Sequence, residues 1–124
     1  MKDCKILIVE DEPEVLECIQ GLLAKSLGCK AEAAHGGREA VEKIKATNYD
    51  LVILDINMPA VSGIDVMKEV KKTKELPDIL VVTGHDNELT LNAALDEGAL
   101  DYLTKPLDPR ILIEKVQELL DWER

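Results

Sequence analysis

The stretch "LVILDINMP", residues 51 to 59, is the most informative part of the sequence about its fold. Its first four residues are all apolar, which is typical of a strand buried on both faces of a helix-covered parallel sheet. The run nevertheless ends in a carboxylate, Asp55, followed by Met58-Pro59. A charged side chain at the end of a buried strand indicates that the charge has a functional role.

Four further runs of this kind lie along the chain, and segments of helical period separate them. The five strand candidates are "KILIV" (5 to 9), "AEAA" (31 to 34), "LVILD" (51 to 55), "DILVVT" (78 to 83) and "DYLT" (101 to 104). Strict alternation implies parallel strands with right-handed crossovers and helices on both faces. The sequence therefore predicts an α/β fold, a doubly wound five-stranded parallel sheet flanked by five helices, of the flavodoxin-like type.

Helix boundaries are marked by their usual residues. Pro13 and Pro109 suit the first turn of a helix, and Asp108 is a candidate N-cap. Gly28 and Gly98 stand where helices should stop. These positions support the alternating pattern.

Composition limits the function classes. The 124 residues are 46% hydrophobic, enough for one domain. The 25 Asp and Glu outnumber the 15 Lys and Arg, and the net charge of -10 argues against direct nucleic-acid binding. No apolar run approaches the roughly 18 residues that a membrane span needs, and no signal peptide opens the chain. We expect a cytoplasmic protein with no membrane contact.

The three cysteines, Cys4, Cys18 and Cys29, form neither a CxxC pair nor an even-numbered framework. We therefore expect reduced thiols that are mostly buried or incidental.

Polar residues follow the predicted strands at their carboxyl ends, where ligands bind in such sheets. Glu10 and Asp11 follow the first strand, Asp55 ends the third, Thr83 ends the fourth and Lys105 follows the fifth. Parallel strands bring all five to one edge of the sheet.

Taken singly, each of these residues has an ordinary structural explanation. An acid before Pro13 is a helix cap, Asp55 is a turn residue, Thr83 is a satisfied hydroxyl and Lys105 is a surface lysine. Together, three crowded carboxylates repel one another unless a cation neutralises them, and their hard oxygens suit Mg2+. Metal and lysine would stabilise a phosphoryl group, with Asp55 as its nucleophilic acceptor.

Four motifs in order, "ILIVEDEP", "DINMPAVSG", "ILVVTGH" and "GALDYLTKP", resemble the receiver domain of two-component response regulators. The resemblance covers residues 4 to 121 and implies that residues 1–124 form a single receiver domain with the receiver fold. It implies that Asp55 is the phosphoacceptor and that Lys105 contacts the phosphoryl group. Mg2+ would be held by Glu10, Asp11, Asp55 and the backbone carbonyl of Asn57, with Asp11 as a direct ligand.

The resemblance also implies a switch. Thr83 would turn its hydroxyl toward the phosphoryl group, and Tyr102 would rotate inward; the alternative for Tyr102 is a half-buried aromatic whose hydroxyl stays in water. The bond between Lys105 and Pro106 would be a cis peptide.

By the same resemblance, the phosphoryl group comes from a phosphohistidine of a sensor histidine kinase or a histidine phosphotransfer protein. The domain would not be a turnover enzyme, but would catalyse its own Mg2+-dependent phosphorylation and slow dephosphorylation. Its output partner is unknown. We expect a monomer or a weak dimer through the face of helix 4, strand 5 and helix 5, which Asp86, Glu88, Asp101 and Glu114 would make acidic.

Some positions depart from the commonest pattern of the family. Glu10 stands where many relatives carry Asp, and Leu107 stands where a Phe is frequent. Asn57 and His85 occupy two sites that tune the lifetime of the phosphoryl group, and we interpret His85 as solvated rather than catalytic.

Three other readings are less favourable. A haloacid-dehalogenase phosphohydrolase needs a second Asp where Asn57 stands. A flavodoxin-like cofactor binder needs a phosphate loop where "EDEPE" would repel phosphate. An unphosphorylated docking module would not need the complete set of acids, threonine and lysine. Because only "WER" follows the last predicted helix, a single-domain regulator and a receiver excised from a larger protein both remain open.

Overall fold

A computed structural model describes residues 4–84 and 88–122. Strands and helices alternate along the whole of this part of the chain. In order they are β1 (Ile6–Val9), α1 (Pro13–Leu27), β2 (Ala31–Ala34), α2 (Gly37–Ala46), β3 (Leu51–Asp55), α3 (Gly63–Lys71), β4 (Ile79–Thr83), α4 (Glu88–Glu97), β5 (Asp101–Thr104) and α5 (Pro109–Trp122).

The five strands form one parallel sheet in the order β2-β1-β3-β4-β5. The order reverses between β1 and β3, so the crevice outside their carboxyl ends is the place where such folds bind ligands. Val9 pairs with Leu54 and Asp55 pairs with Val82, which brings the ends of these strands level. The predicted fold is confirmed.

Two apolar layers cover the sheet because successive side chains of a strand point to opposite faces. On one face, Leu7, Val52 and Val81 pack with residues of α2 and α3. On the other face, Ile8 and Ile53 pack with residues of α1 and α5. This double cover explains why β1, β3 and β4 are apolar at every position of their interior.

Local signals in the sequence fix the helix ends. Pro13 begins α1, and Gly28 ends it in the left-handed conformation (φ 68°) that glycine adopts without strain. Asp108 caps α5 by accepting a hydrogen bond from the backbone N–H of Arg110 (2.9 Å). The predicted roles of Pro13, Gly28 and Asp108 are confirmed.

The expectation that all three cysteines are reduced is wrong for two of them. Cys4 and Cys29 form a disulfide with a Cα–Cα distance of 6.1 Å, while Cys18 is free and exposed. The physical reason is strand register: Ile6 pairs with Ala31 across β1 and β2, and the same offset places Cys4 opposite Cys29. Spacing in sequence alone does not contain that register.

Reduction of this disulfide is expected to lower the melting temperature. The bond closes a loop across 25 positions of sequence, for which chain entropy predicts a stabilisation of about 3 kcal/mol. A domain of this size should then melt about 10 °C lower with a reductant present. The measurement is thermal unfolding followed by circular dichroism, in a Cys18→Ser background that excludes dimers through the exposed thiol. Equal melting temperatures with and without reductant would contradict it.

Within residues 4–84 and 88–122, no helix combines the length and the apolar character that crossing a bilayer requires.

Candidate functional site

The carboxyl ends of β1 and β3 bring three acids together at the topological switch point. Carboxylate oxygens of Glu10, Asp11 and Asp55 all lie within 4.8 Å of one another. Glu10 and Asp55 are buried, with exposed fractions of 1% and 3%, while Asp11 is more open to solvent. The structure thus brings together the three acids that the strand pattern predicted.

Asp55 is held rigidly by its surroundings. Its Oδ1 accepts a hydrogen bond from the backbone N–H of Asn57 (2.9 Å), and its Oδ2 lies 3.3 Å from the Nζ of Lys105. Helix α3 packs directly on this strand end. Gly63, its first residue, lies so close that an added Cβ would be 2.9 Å from the Asp55 carbonyl oxygen. Ser62 and Asp65 fix the start of that helix with a capping box.

Lys105 is the positive charge at the centre of the acids. Its Nζ lies 2.9 Å from Glu10, 3.3 Å from Asp55 and 3.4 Å from Glu12. Its backbone N–H donates to the carbonyl oxygen of Thr83 (2.8 Å), which ties it to the end of β4. The peptide bond between Lys105 and Pro106 is cis.

The crowded charges shift the pKa values of two groups. Burial, together with the negative charge of Asp55, raises the pKa of Glu10 to about 7, even though the hydrogen bond from Lys105 opposes the shift. Burial alone would lower the pKa of Lys105, but the hydrogen bond to Glu10 and the charge of Asp55 hold it above its ordinary value. Lys105 therefore stays charged, and Glu10 takes up a proton near neutral pH.

The helix-cap explanation of the first acids is only partly supported. Glu12 is the N-cap residue of α1, but its side chain makes no capping hydrogen bond. Glu10 does accept a hydrogen bond from the backbone N–H of Glu12 (3.2 Å). One oxygen of Glu10 thus supports the local turn, while its other oxygen faces Lys105.

Thr83 ends β4 and is fully buried. Its hydroxyl donates a hydrogen bond to the side-chain oxygen of Asn57 (2.8 Å), and the same oxygen accepts from the backbone N–H of Gly84 (2.8 Å). The contact between the Asn57 side chain and Thr83 was not predicted from the sequence. No sequence signal predicts it, because it joins the end of β4 to the loop after β3, and these segments are distant along the chain.

Tyr102 lies on β5 with 39% of its surface exposed, so its side chain points outward in this arrangement. Large apolar side chains are also exposed on and beside α4 and α5, namely Leu89, Leu95, Leu100 and Ile111. We use the name α4-β5-α5 face for the surface carrying these residues and Tyr102.

Asp101 was expected to make this face acidic, but its carboxylate is paired with the ammonium of Lys115 (2.7 Å). His85 and Asp86 lie outside the described residues.

A second apolar surface lies beside Lys105. It is a groove between α1 and the loop before α5, and we call it the α1 groove. Its apolar lining is Val15, Cys18, Ile19, Leu22, Pro106, Leu107 and Pro109. The sequence pattern does not predict the groove, since its two walls come from segments far apart along the chain.

Comparison with known proteins finds one family repeatedly. A family model described as "Response regulator receiver domain" matches residues 6–117. Over 116 residues, the chain is 36% identical to the alkaline phosphatase synthesis transcriptional regulatory protein PhoP of Bacillus subtilis (strain 168), covering 94% of this chain and 48% of that protein. The chain spans about half the length of the curated relatives it matches.

Solved structures agree with this result. The receiver domain of the Francisella response regulator 1452 superposes with a TM-score of 0.89 at 27% identity, over 98% of this chain and 100% of that one. The Vibrio cholerae chemotaxis protein CheY4 superposes with a TM-score of 0.85 at 28% identity, over 94% of this chain and 98% of that one.

Proposed function

Since this chain belongs to the response regulator receiver domain family of two-component systems, we propose that it accepts a phosphoryl group on Asp55 from a phosphohistidine. The observation that carries the proposal is the environment of Asp55. It is a buried carboxylate at the end of a rigid strand, with the Lys105 ammonium 3.3 Å away and two further acids beside it. Positioning and charge stabilisation are most of what phosphoryl transfer requires.

Within this proposal, each residue has a stated task. Asp55 attacks the phosphorus atom through a carboxylate oxygen, and the bond from phosphorus to the histidine nitrogen breaks as the acyl phosphate forms. Lys105 stabilises the charge on the phosphoryl oxygens. Receiver domains do not turn over an external substrate, so this reaction and the later hydrolysis would modify the chain itself.

Members of the receiver family bind Mg2+ at an acidic pocket, and the residues present here fit that ion. Glu10, Asp11 and Asp55 offer hard oxygen donors within 4.8 Å of one another, which suits Mg2+. We propose that these acids hold the ion together with the backbone carbonyl of Asn57. When bound, Mg2+ would neutralise charge on the acids and on the phosphoryl oxygens.

Mg2+ binding is expected to weaken as the pH falls through neutrality. The pKa of Glu10 is about 7 in the metal-free chain, so Glu10 is mostly protonated at pH 6 and mostly ionised at pH 8. Because the ion binds the ionised form, its dissociation constant should rise roughly tenfold from pH 8 to pH 6. Isothermal titration calorimetry measures this.

The matched control for that titration is Glu10→Gln, which should bind Mg2+ more weakly and with a flatter pH dependence.

The raised pKa of Glu10 also determines how the stability of the metal-free chain depends on pH. Its free energy of unfolding should fall as the pH rises from 4.5 to about 7, because the folded state then holds the proton that the unfolded state has lost. In the Mg2+ titration, an equal dissociation constant at pH 6 and at pH 8 would refute the role given to Glu10.

Receiver domains interact with histidine kinases or phosphotransfer proteins, and we propose that the α1 groove receives such a donor. The groove is largely apolar and borders Lys105. A helix carrying the phosphohistidine, seated there, would lie beside the acids.

We propose that phosphorylation changes the α4-β5-α5 face. Tyr102 on this face is exposed, and it would rotate inward when the Thr83 hydroxyl moves toward the phosphoryl group. Exposed apolar side chains around it suit a protein partner, or a second copy in a weak dimer. We also propose that residues 1–124 form a single receiver domain.

The experiment that tests the proposal is intact mass after incubation with acetyl phosphate and Mg2+. One phosphoryl adduct is expected, and it should be lost when a chelator removes the ion. A receiver domain known to be labelled under these conditions is the positive control. If that control is labelled and this chain is not, acetyl phosphate is replaced by purified phosphohistidine donors, and failure with these as well refutes phosphoryl acceptance.

A further inference from the structure

We propose that the disulfide between Cys4 and Cys29 is a redox-sensitive clamp on the edge strand β2, and that its reduction loosens β2 and weakens Mg2+ binding at the acids. The loosening of β2 is a property of the metal-free chain. The effect on Mg2+ rests on the proposed function of the site.

Strand β2 gains little from hydrophobic packing. It is an edge strand, because in the order β2-β1-β3-β4-β5 it pairs with β1 alone. Its sequence is "AEAA", and only its last residue, Ala34, is buried, whereas every position of β1, β3 and β4 is buried. Alanine also buries less apolar surface than the isoleucine, leucine and valine of those strands. The attachment of β2 to the sheet therefore depends on other bonds.

The disulfide supplies such a bond at the start of β2. Ile6 and Ala31 are the first pair of residues in the ladder between β1 and β2. Cys4 lies two residues before Ile6, and Cys29 lies two residues before Ala31. The disulfide thus joins the two strands covalently just before their ladder begins.

The far end of β2 adjoins the acids. The backbone N–H of Glu10 donates to the carbonyl oxygen of Ala34 (3.0 Å). The residues after Ala34 form one wall of a cavity that Asp11 and the loop after β3 also line. Gly37, at the start of α2, lies so close to that loop that an added Cβ would be 2.7 Å from the Val61 carbonyl oxygen. A loosened β2 therefore releases the backbone of Glu10 and shifts the wall beside Asp11.

Reduction of the clamp is a thiol–disulfide exchange with a dithiol. Cys29 is buried (3% exposed) and Cys4 is partly exposed, so a thiolate of the dithiol attacks the sulfur of Cys4. The sulfur–sulfur bond breaks, Cys29 leaves and takes up a proton, and a mixed disulfide forms at Cys4. The second thiolate of the dithiol then displaces Cys4, which takes up the other proton. Two electrons and two protons have passed to the cysteines, and the dithiol has become a disulfide.

The compartment expected from the sequence supports a regulatory disulfide. Disulfides in the cytoplasm of most organisms are transient, and they are usually catalytic or redox-sensing. In that compartment the clamp would open and close with the supply of dithiols.

The opposing interpretation is that the disulfide only adds overall stability by constraining the unfolded chain. Side-chain hydrogen bonds also hold β2: Gln20 donates to the Ala31 carbonyl oxygen (3.1 Å), and the Tyr49 hydroxyl donates to the Glu32 carboxylate (2.8 Å). If these bonds are sufficient, reduction lowers the melting temperature and leaves β2 unchanged in the folded chain. Two measurements separate the interpretations.

The first measurement is amide hydrogen exchange in the metal-free chain, in a Cys18→Ser background. The reduced chain is compared with an oxidised chain carrying Leu91→Ala, which opens a cavity under α4, remote from β2. Urea brings both chains to the same free energy of unfolding. The amide of Glu10 should exchange about tenfold faster in the reduced chain, because its acceptor belongs to a loosened strand. The amide of Val52, which donates toward β4, should exchange equally in both.

Three results of this measurement would overturn the clamp. The first is equal exchange at Glu10 in the two chains. The second is a reduced chain that unfolds altogether, because the disulfide would then hold the whole domain. The third is an intact mass showing that Cys4 and Cys29 stay reduced after incubation with oxidised glutathione.

The second measurement is the dissociation constant for Mg2+ by isothermal titration calorimetry at pH 8, below the melting range of the reduced chain. Reduction should raise this constant about fivefold, at the low end of coupling between distant sites. Oxidised Leu91→Ala should bind like the oxidised chain without it, since both are folded. By linkage, saturating Mg2+ should raise by the same factor the ratio of reduced to oxidised dithiothreitol that half-reduces the disulfide. An equal dissociation constant for the two redox forms would overturn the effect on Mg2+.

Failure of the clamp and failure of the proposed function give different results. If the Glu10 amide responds to reduction and neither redox form binds Mg2+, the clamp on β2 stands and the proposed metal site fails. If Mg2+ binds and the Glu10 amide does not respond, the metal site stands and the clamp fails.

Discussion

Asp55→Asn is expected to abolish phosphoryl incorporation completely, whether the donor is acetyl phosphate or a phosphohistidine protein. An amide oxygen does not form the acyl phosphate. The two neighbouring acids do not replace Asp55, because both follow β1 and neither stands at the end of β3. The fold should persist, since Asn has the same shape and its neutral side chain removes one of the crowded charges. Intact mass gives the incorporation, and circular dichroism checks the fold.

Asp96→Asn is the matched control for this substitution. It also neutralises one aspartate, but on the exposed side of α4, so labelling should continue at the original rate. An adduct on the Asp55→Asn chain, at the same stoichiometry as on the unsubstituted chain, would place the phosphoacceptor elsewhere.

Lys105→Ala is expected to slow phosphorylation by roughly 100-fold, the cost of removing one preorganised donor from a charged transition state. The same change should destabilise the metal-free chain by about 3 kcal/mol at pH 8, because it leaves buried Glu10 and Asp55 without their cation. The destabilisation should shrink at pH 6. The pKa of Glu10 is already raised to about 7 while Lys105 opposes the shift, so without Lys105 this carboxyl takes up a proton more readily. Labelling rates and urea unfolding at the two pH values measure these effects.

Lys115→Ala is the control for Lys105→Ala. Lys115 also forms a close ion pair, with Asp101 at 2.7 Å, but on the α4-β5-α5 face and away from the acids. Its removal should leave the labelling rate unchanged. Equal labelling by the Lys105→Ala chain would mean that the lysine serves only to neutralise the acids.

Much of the fold was readable from the sequence, because parallel strands buried on two faces leave an unbroken apolar pattern. "LVILD" matches β3 residue for residue, and "DYLT" matches β5. The clustering of the acids could be predicted for a related reason: once parallel strands are inferred, their carboxyl ends must lie at one edge of the sheet. The adjacent pair Glu10 and Asp11 meets Asp55 there, although Asp55 lies two strands further along the chain.

The contacts that could not be predicted from the sequence depend on strand register and on the direction of side chains in distant segments. The disulfide between Cys4 and Cys29 follows from the pairing of β1 with β2, which no spacing rule contains. The contact of Glu12 with Lys105 joins residues 93 positions apart. The hydrogen bond from Thr83 to Asn57 depends on how the loop after β3 approaches the end of β4.

Asp55 is the residue that we propose becomes phosphorylated, and chemical trapping followed by peptide sequencing identifies the modified residue. Borohydride reduces an aspartyl phosphate to homoserine, which marks the modified position by mass. After incubation with Mg2+ and a phosphoryl donor, homoserine is predicted at position 55 alone, and only when both reagents are present. Homoserine at position 11 or at any other acid, with residue 55 still aspartate, would contradict this assignment.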